Sequence, residues 1–290
     1  MKKSILLLGI TALLAGGSLA ADNHGAEKAK HKKMTSVQMD AHHAEMMQDI
    51  LKGDWRDPKN VVRDQYRRPA GTLGFFGVTP HSKVVEIWPG GGWYAEILVP
   101  YVTKHGSYTG AVNDPNTFSK ESSKAYYAKA NKGLSDKFAA NPEVYKKATI
   151  LEFDPAKPVL GKPSSADVVL TFRNVHNWRM AKQQDGMFAA FYAVLKKGGT
   201  LGVVEHRALN DVAEDDKSGY VSEAQVIALA TKAGFKLAGK SQLNYNAKDT
   251  RDYADGVWTL PPSYRLGDKD KEKYAAIGES DRMTLKFVKP

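Results

Sequence analysis

The run from Val84 to Leu98, Val-Val-Glu-Ile-Trp-Pro-Gly-Gly-Gly-Trp-Tyr-Ala-Glu-Ile-Leu, constrains the fold more than any other part of the chain. An apolar, β-rich stretch reaches a carboxylate at Glu86, passes through a triple glycine, and continues with apolar residues at helical spacing. That order reads as strand, tight turn and helix. Glycines let the backbone pass close under a ligand, and the start of the new helix offers free N–H groups. An acid at the strand tip can hold a ribose or an amino group, so the unit is of the nucleotide-binding βα kind.

From Lys83 onward, strands and helices alternate. Strands are expected at Val84–Trp88, Tyr108–Val112, Thr149–Phe153, Val168–Phe172, Thr200–Glu205, Lys236–Leu243 and Met283–Val288. Helices are expected at Tyr94–Tyr101, Ser119–Phe138, Gly186–Leu195 and Ser222–Ala233, the last opened by the capping-box pattern Ser222-Glu223-Ala224-Gln225. Such alternation predicts an α/β domain with a mostly parallel sheet and right-handed crossovers. Asn244–Ser280 is the longest irregular stretch, and its Tyr253, Trp258 and Tyr264 argue for an ordered, functional segment.

Glu86, Gly90 and Gly92 resemble motif I of the class I S-adenosylmethionine-dependent methyltransferases, in which an acid precedes three alternate glycines. Trp88 stands where that family has the first glycine, so its indole either points away from the ligand or packs on it. The resemblance covers roughly residues 55 to 290. It is closest to a group of methyltransferases with the Glu-Ile-Trp-Pro-Gly-Gly-Gly-Trp-Tyr run and a closing strand like Asp281 to Pro290. It implies a Rossmann-like methyltransferase fold: a mostly parallel seven-stranded sheet with an antiparallel last strand. It also implies S-adenosyl-L-methionine as cofactor and a small-molecule acceptor.

The resemblance also suggests roles for particular residues. Glu86, Gly90 and Gly92 would hold the methionine portion of the cofactor, and Trp88 and Asn174 are counted among its binding residues. Asp114 closes the second strand, where a carboxylate accepts hydrogen bonds from ribose hydroxyls; as Asn113-Asp114-Pro115 it also suits a plain turn. Asp154 would meet the adenine amino group, or else simply form the turn before Pro155. His176-Asn177-Trp178 is similar to the His-Asp-Trp of O-methyltransferases acting on hydroxylated aromatics, where the histidine is the general base. Imidazole suits that task because it titrates near neutrality. Asn177 replaces the family's Asp, and a loop histidine held by structural hydrogen bonds is the other reading. Glu205-His206-Arg207 ends the fifth strand, lining the site or capping the strand. The family's function, methyl transfer at an oxygen, is the leading expectation; an exported binding protein that kept the fold without its chemistry is the alternative.

Residues 1–20 carry Lys2 and Lys3, a short apolar stretch and Ser18-Leu19-Ala20, the order of a cleavable signal peptide. The chain is therefore expected in the periplasm, with no stable membrane insertion after cleavage. The formal charge of +10 becomes +8 once two lysines leave with residues 1–20 (10 − 2). No arginine-rich block interleaves with aromatics, which argues against nucleic-acid binding. The absence of cysteine excludes disulfides and thiolate chemistry. Residues 21–54 read as a flexible lead-in followed by a helix from Ser36 to Leu51, and the methyltransferase-like domain as 55–290. Met39, His42, His43, Met46 and Met47 share that helix, and thioether with imidazole suits Cu(I). Without a thiolate or carboxylate to complete a set, an apolar stripe of Met39, Met46 and Ile50 is the plainer reading, and no metal is expected. Oligomeric state is not legible.

Overall fold

The structure, a computed structural model, describes residues 36–290; the expected signal peptide and residues 21–34 of the lead-in lie outside the described residues. Helix α1 (Ser36–Leu51) is followed by three short helices, α2 (Pro58–Val61), α3 (Asp64–Arg67) and α4 (Pro69–Phe76). Prolines open two of these, where a missing N–H costs nothing, and Arg68 at φ 42° breaks α3 from α4. The remaining elements are β1 (Lys83–Ile87), α5 (Ala95–Val102), β2 (Ser107–Asn113), α6 (Glu121–Ala140), α7 (Pro142–Tyr145) and β3 (Ala148–Phe153). They continue as β4 (Ala166–Phe172), α8 (Val175–Met180), α9 (Gln184–Val194), β5 (Leu195–Ala208), β6 (Val221–Ser222), α10 (Glu223–Lys232), β7 (Lys236–Ser241), α11 (Lys271–Ile277) and β8 (Arg282–Val288).

The sheet runs β3-β2-β1-β4-β5-β8-β7, with β6 adding two residues beside β5. The neighbours from β3 to β5 pair in parallel, whereas β8 is antiparallel to both β5 and β7. This is the expected seven-stranded, mostly parallel sheet with a reversed last strand. Order reverses between β1 and β4, the switch point where such sheets take ligands at strand C-termini.

Both faces are covered, as a parallel sheet requires. Val85, Ile87, Val169 and Val203 face a layer containing Trp178, Phe188 and Phe191. Val84, Leu170 and Val204 face Leu73 and Phe76 of α4 and Ile97 and Leu98 of α5. Close approach of α4 explains Gly202 in the middle of β5. A Cβ there would come within 2.7 Å of Phe76 and 2.8 Å of Leu170.

Helix α1 docks through Met47 and Ile50, while Met46 is half-buried and His42 faces solvent. The segment after it is strapped onto α5 by Glu96, whose side chain is fully buried. Asn60 Nδ2 donates to Glu96 Oε1 at 2.8 Å, Trp55 Nε1 to the Glu96 carbonyl at 2.9 Å, and Lys137 pairs with the same carboxylate. Arg56 grips Asp64 with both terminal nitrogens, at 2.7 and 2.8 Å. Residues 55–76 thus form a cap on α5 and on the face of the sheet that α4 and α5 cover. The segment 244–280 lies across the neighbouring edge: Asp249 accepts from Tyr220 Oη at 2.9 Å and from the Asp281 N–H at 2.7 Å, and Val257 and Leu260 are buried.

Candidate active site

The turn after β1 takes its shape from three left-handed residues: Trp88 at φ 49°, Gly90 at φ 58° and Gly92 at φ 79°. Glycine adopts that conformation freely, whereas a residue with a Cβ is strained by about 1–2 kcal/mol. Trp88 tolerates the strain because its N–H donates to the Ala111 carbonyl at 2.8 Å and its indole packs edge-on against Trp178, centroids 5.5 Å apart. The two glycines have different jobs. A Cβ on Gly90 would meet nothing within 4 Å, since it faces open space. One on Gly92 would lie 3.0 Å from Leu134 of α6, so that glycine allows close helix packing.

Beside this turn lies a cavity of about 440 Å³, lined by Trp88, Gly90, Asn113, Phe118, Tyr127, Asn174 and Asn177 among others. Phe118 and Tyr127 stack with centroids 4.4 Å apart. Asn113 Oδ1 is a buried acceptor without a partner among the described residues. Asn174 Nδ2 donates to the Ile87 carbonyl at 2.9 Å, tying the tip of β4 to that of β1 and fixing the cavity floor. Of the residues assigned from sequence to the cofactor, Trp88, Gly90 and Asn174 line this cavity together.

The others sit elsewhere. Glu86 is buried on the α4–α5 face of β1, where it accepts from Tyr108 Oη at 2.7 Å. Burial pushes its carboxyl up to about 7, although Tyr108, Arg173 and Arg67 favour the charged form. Asp114 Oδ1 accepts from Asn116 N at 2.9 Å and Asn116 Nδ2 at 3.0 Å, so one oxygen caps the turn after β2 and the other takes no part in it. Asp154 accepts from Ala156 N at 2.8 Å and caps its own turn.

His176 lies on α8, a short helix not expected from sequence, with its ring turned away from the cavity towards β5. Its Nδ1 is 3.1 Å from Glu205 Oε1, and Glu205 is wholly buried. The same carboxylate accepts from Val175 N at 2.6 Å, His176 N at 3.3 Å and His206 N at 2.8 Å. A carboxylate accepts only, so His176 Nδ1 is the donor in this pair and Nε2 is the ring nitrogen not engaged by Glu205. Trp258 of the covering segment packs edge-on to the imidazole at 5.8 Å. His206, 5.5 Å away, meets Ser280 Oγ at 2.5 Å. Burial, followed by His176, Arg173, Arg282 and Arg67, drives His206 well below the usual imidazole range, so it is neutral at neutral pH.

His176, Glu205 and His206 present ligand-type atoms within 4.8 Å of one another, a grouping that sequence spacing does not reveal. Its surroundings disfavour a cation. Glu205 is already engaged by three backbone N–H groups, and three arginines impose positive potential at His206.

No family model matches the chain, and no curated protein matches it. Solved structures do. An S-adenosylmethionine-dependent methyltransferase from Aquifex aeolicus aligns with TM-score 0.51 and 14% identity over 84% of this chain and 98% of that one. The (4+2)-cyclase SpnF aligns with TM-score 0.51 and 16% identity over 77% and 81%. The fold is that of the class I methyltransferases. Within this methyltransferase fold the cavity and His176 both lie at the C-terminal edge of the sheet, on either side of β4. That the fold also carries a cyclase means the chemistry must be argued from the site.

Proposed function

We propose that the chain is an S-adenosylmethionine-dependent methyltransferase acting on an oxygen of a small acceptor. The cavity's volume falls in the range of small-molecule sites. Its residues suit the cofactor: Phe118 and Tyr127 offer aromatic faces to a purine, Asn113 Oδ1 is an unused acceptor, and Gly90 leaves the backbone open to approach. Trp88, Gly90, Asn113 and Asn174 would hold it, with the second oxygen of Asp114 available for a ribose hydroxyl.

S-adenosylmethionine supplies a methyl group already activated on a sulfonium, so the protein has to align an acceptor and remove its proton. The His176–Glu205 pair is the observation that carries this reading. With Nδ1 donating to Glu205, Nε2 takes the acceptor's hydroxyl proton as the oxygen–carbon bond forms, and the buried carboxylate steadies the resulting imidazolium. Neutral His206 beside it adds no competing charge.

Calorimetry with S-adenosylhomocysteine, followed by mass detection of methylated products from a panel of phenols, catechols and quinols, tests the reading. Absence of binding to either form of the cofactor sinks it. The alternative, a protein that binds ligand without turning it over, would be supported by tight binding with no product from any acceptor. Export to the periplasm is proposed on the n-h-c order of residues 1–20 alone, and intact mass of protein from its host decides it. A retained Met1 rejects it. Among the described residues no helix is long and apolar enough to cross a membrane.

A further inference from the structure

Four arginines from distant parts of the chain act on one another at the edge of the sheet: Arg63 and Arg67 of the cap, Arg173 at the tip of β4, and Arg282 at the start of β8. Glu279 serves three of them. Arg63 Nε lies 2.6 Å from Oε1, while Arg282 Nη1 and Arg67 Nε lie 2.8 and 3.3 Å from Oε2. Arg173 is left out. Its Nη1 is sealed from solvent with no hydrogen-bond partner among the described residues. Glu86, the other acid in range, is committed to Tyr108, and with its carboxyl near 7 it is only about half charged at neutral pH.

Buried donors in native proteins are nearly always satisfied, and an uncompensated buried charge is costly. Arg173 carries the first penalty at Nη1 and the second only in part, since Glu279 acts on it at a distance; its backbone is strained besides, at φ 63°, held there by its N–H to the Val204 carbonyl at 2.7 Å. Strain persists where the surrounding structure imposes it, and it clusters at ligand sites. The position matters as well. The Arg173 N–H binds the Val204 carbonyl of β5, Arg282 stands opposite His206 in the β5–β8 register, and His206 lies 5.5 Å from His176, so Arg173 and Arg282 sit at the strands that hold the proposed base.

We propose that Arg173, flanked by Arg67, is the subsite for a carboxylate on the acceptor, making the acceptor a small organic anion whose nucleophilic oxygen is directed towards His176. The planar guanidinium fork matches a carboxylate through two parallel N–H···O bonds. The word acceptor rests on the methyltransferase reading; the carboxylate subsite does not.

Benzoate is the probe and benzyl alcohol its uncharged counterpart, each titrated calorimetrically into the full chain. Benzoate is expected to bind at least about tenfold more tightly, the usual worth of a charge-assisted hydrogen bond. In Arg173→Gln that preference should vanish, with S-adenosylhomocysteine affinity unchanged. The variant should also melt no lower than the native protein, because a repelling cation has been removed; a purely structural arginine would lower the melting temperature. Should Arg173→Gln fail to fold, Arg173→Lys carries the comparison, since a point charge keeps only part of the preference. Equal affinity for benzoate and benzyl alcohol overturns the proposal. So does loss of S-adenosylhomocysteine affinity with benzoate binding intact, which would give the carboxylate to the cofactor. Benzoate preference without any cofactor binding would keep this subsite and remove the methyltransferase reading instead.

Discussion

The C-terminal edge of the sheet has two halves built in different ways. Around the tips of β1 and β2 the cavity wall comes from the glycine turn, α6 and the start of the segment after β4, and its polar groups, Asn113, Asn131, Asn174 and Asn177 among them, are neutral. Over β4, β5 and β8 the groups are charged and come from remote positions. Val175 meets Glu205 across 30 residues, His206 meets Ser280 across 74, and Arg67 meets Glu279 across 212. The first half is suited to a ligand common to the fold, and the second carries what would be particular to this chain. A shared ligand needs only a shaped backbone, whereas proton removal and selection of an acceptor need fields that single elements do not supply.

If the halves are separable in this way, His176→Ala slows methyl transfer by roughly 10²–10⁴-fold while cofactor affinity holds. Single-turnover rates and calorimetry on the same variant read both quantities; simultaneous loss of affinity would show the halves to be one site. Next in size is Glu279→Gln, which leaves Arg63, Arg67 and Arg282 without their carboxylate and should cost about 3–5 kcal/mol in urea unfolding. A cost below about 1 kcal/mol would mean that the arginine group is solvated and the charged half is not a distinct environment.

Two of the buried glutamates, Glu279 and Glu86, also set opposite pH slopes. Burial raises Glu279, but Arg282, Arg67, Arg63 and Arg173 more than reverse this and hold it at about 2, so its contribution is present above the ordinary 4.5 and is lost as pH falls from there through 2. Burial raises Glu86 to about 7, so the folded state holds a proton that the unfolded state has released, and stability declines as pH rises from 4.5 through 7. The Glu86 share is roughly 3 kcal/mol, and Glu86→Gln should abolish that decline. An unaltered slope in the variant places the titrating group elsewhere. The smallest effect expected is that of Asp114→Ala, a loss of about 1.5–3 kcal/mol in cofactor binding with little change in melting temperature. Unchanged binding with a lower melting temperature would leave Asp114 as the turn-former that its bonds to Asn116 already make it.

Much of the architecture was legible because it is written in local pattern. The Ser222 capping box forms as expected, and the helix it opens runs Glu223–Lys232. Strand β5 is longer than its apolar run, reaching from Leu195 to Ala208, since Leu195 pairs with Ala166 of β4 at one end and Arg207 and Ala208 pair with β6 at the other. Helix α8 escaped notice because six residues are too few to show a period, and no side chain caps it. Its formation turns His176 towards Glu205 while Asn174 and Asn177 face the cavity, a division that the linear Asn-Val-His-Asn order does not reveal.

What the sequence determined alone was the α/β alternation, the left-handed glycine turn and the set of polar residues at strand tips, because strand period, helix period and turn chemistry act over a few residues. Only the tertiary structure decided that Glu86 faces Tyr108 in the interior, that Glu205 orients His176, and that Glu279 serves three arginines but not Arg173. Those outcomes depend on which side of a strand faces which layer and on charges meeting across up to 216 residues of chain. Their energies arise from burial, and burial exists only once the layers have closed.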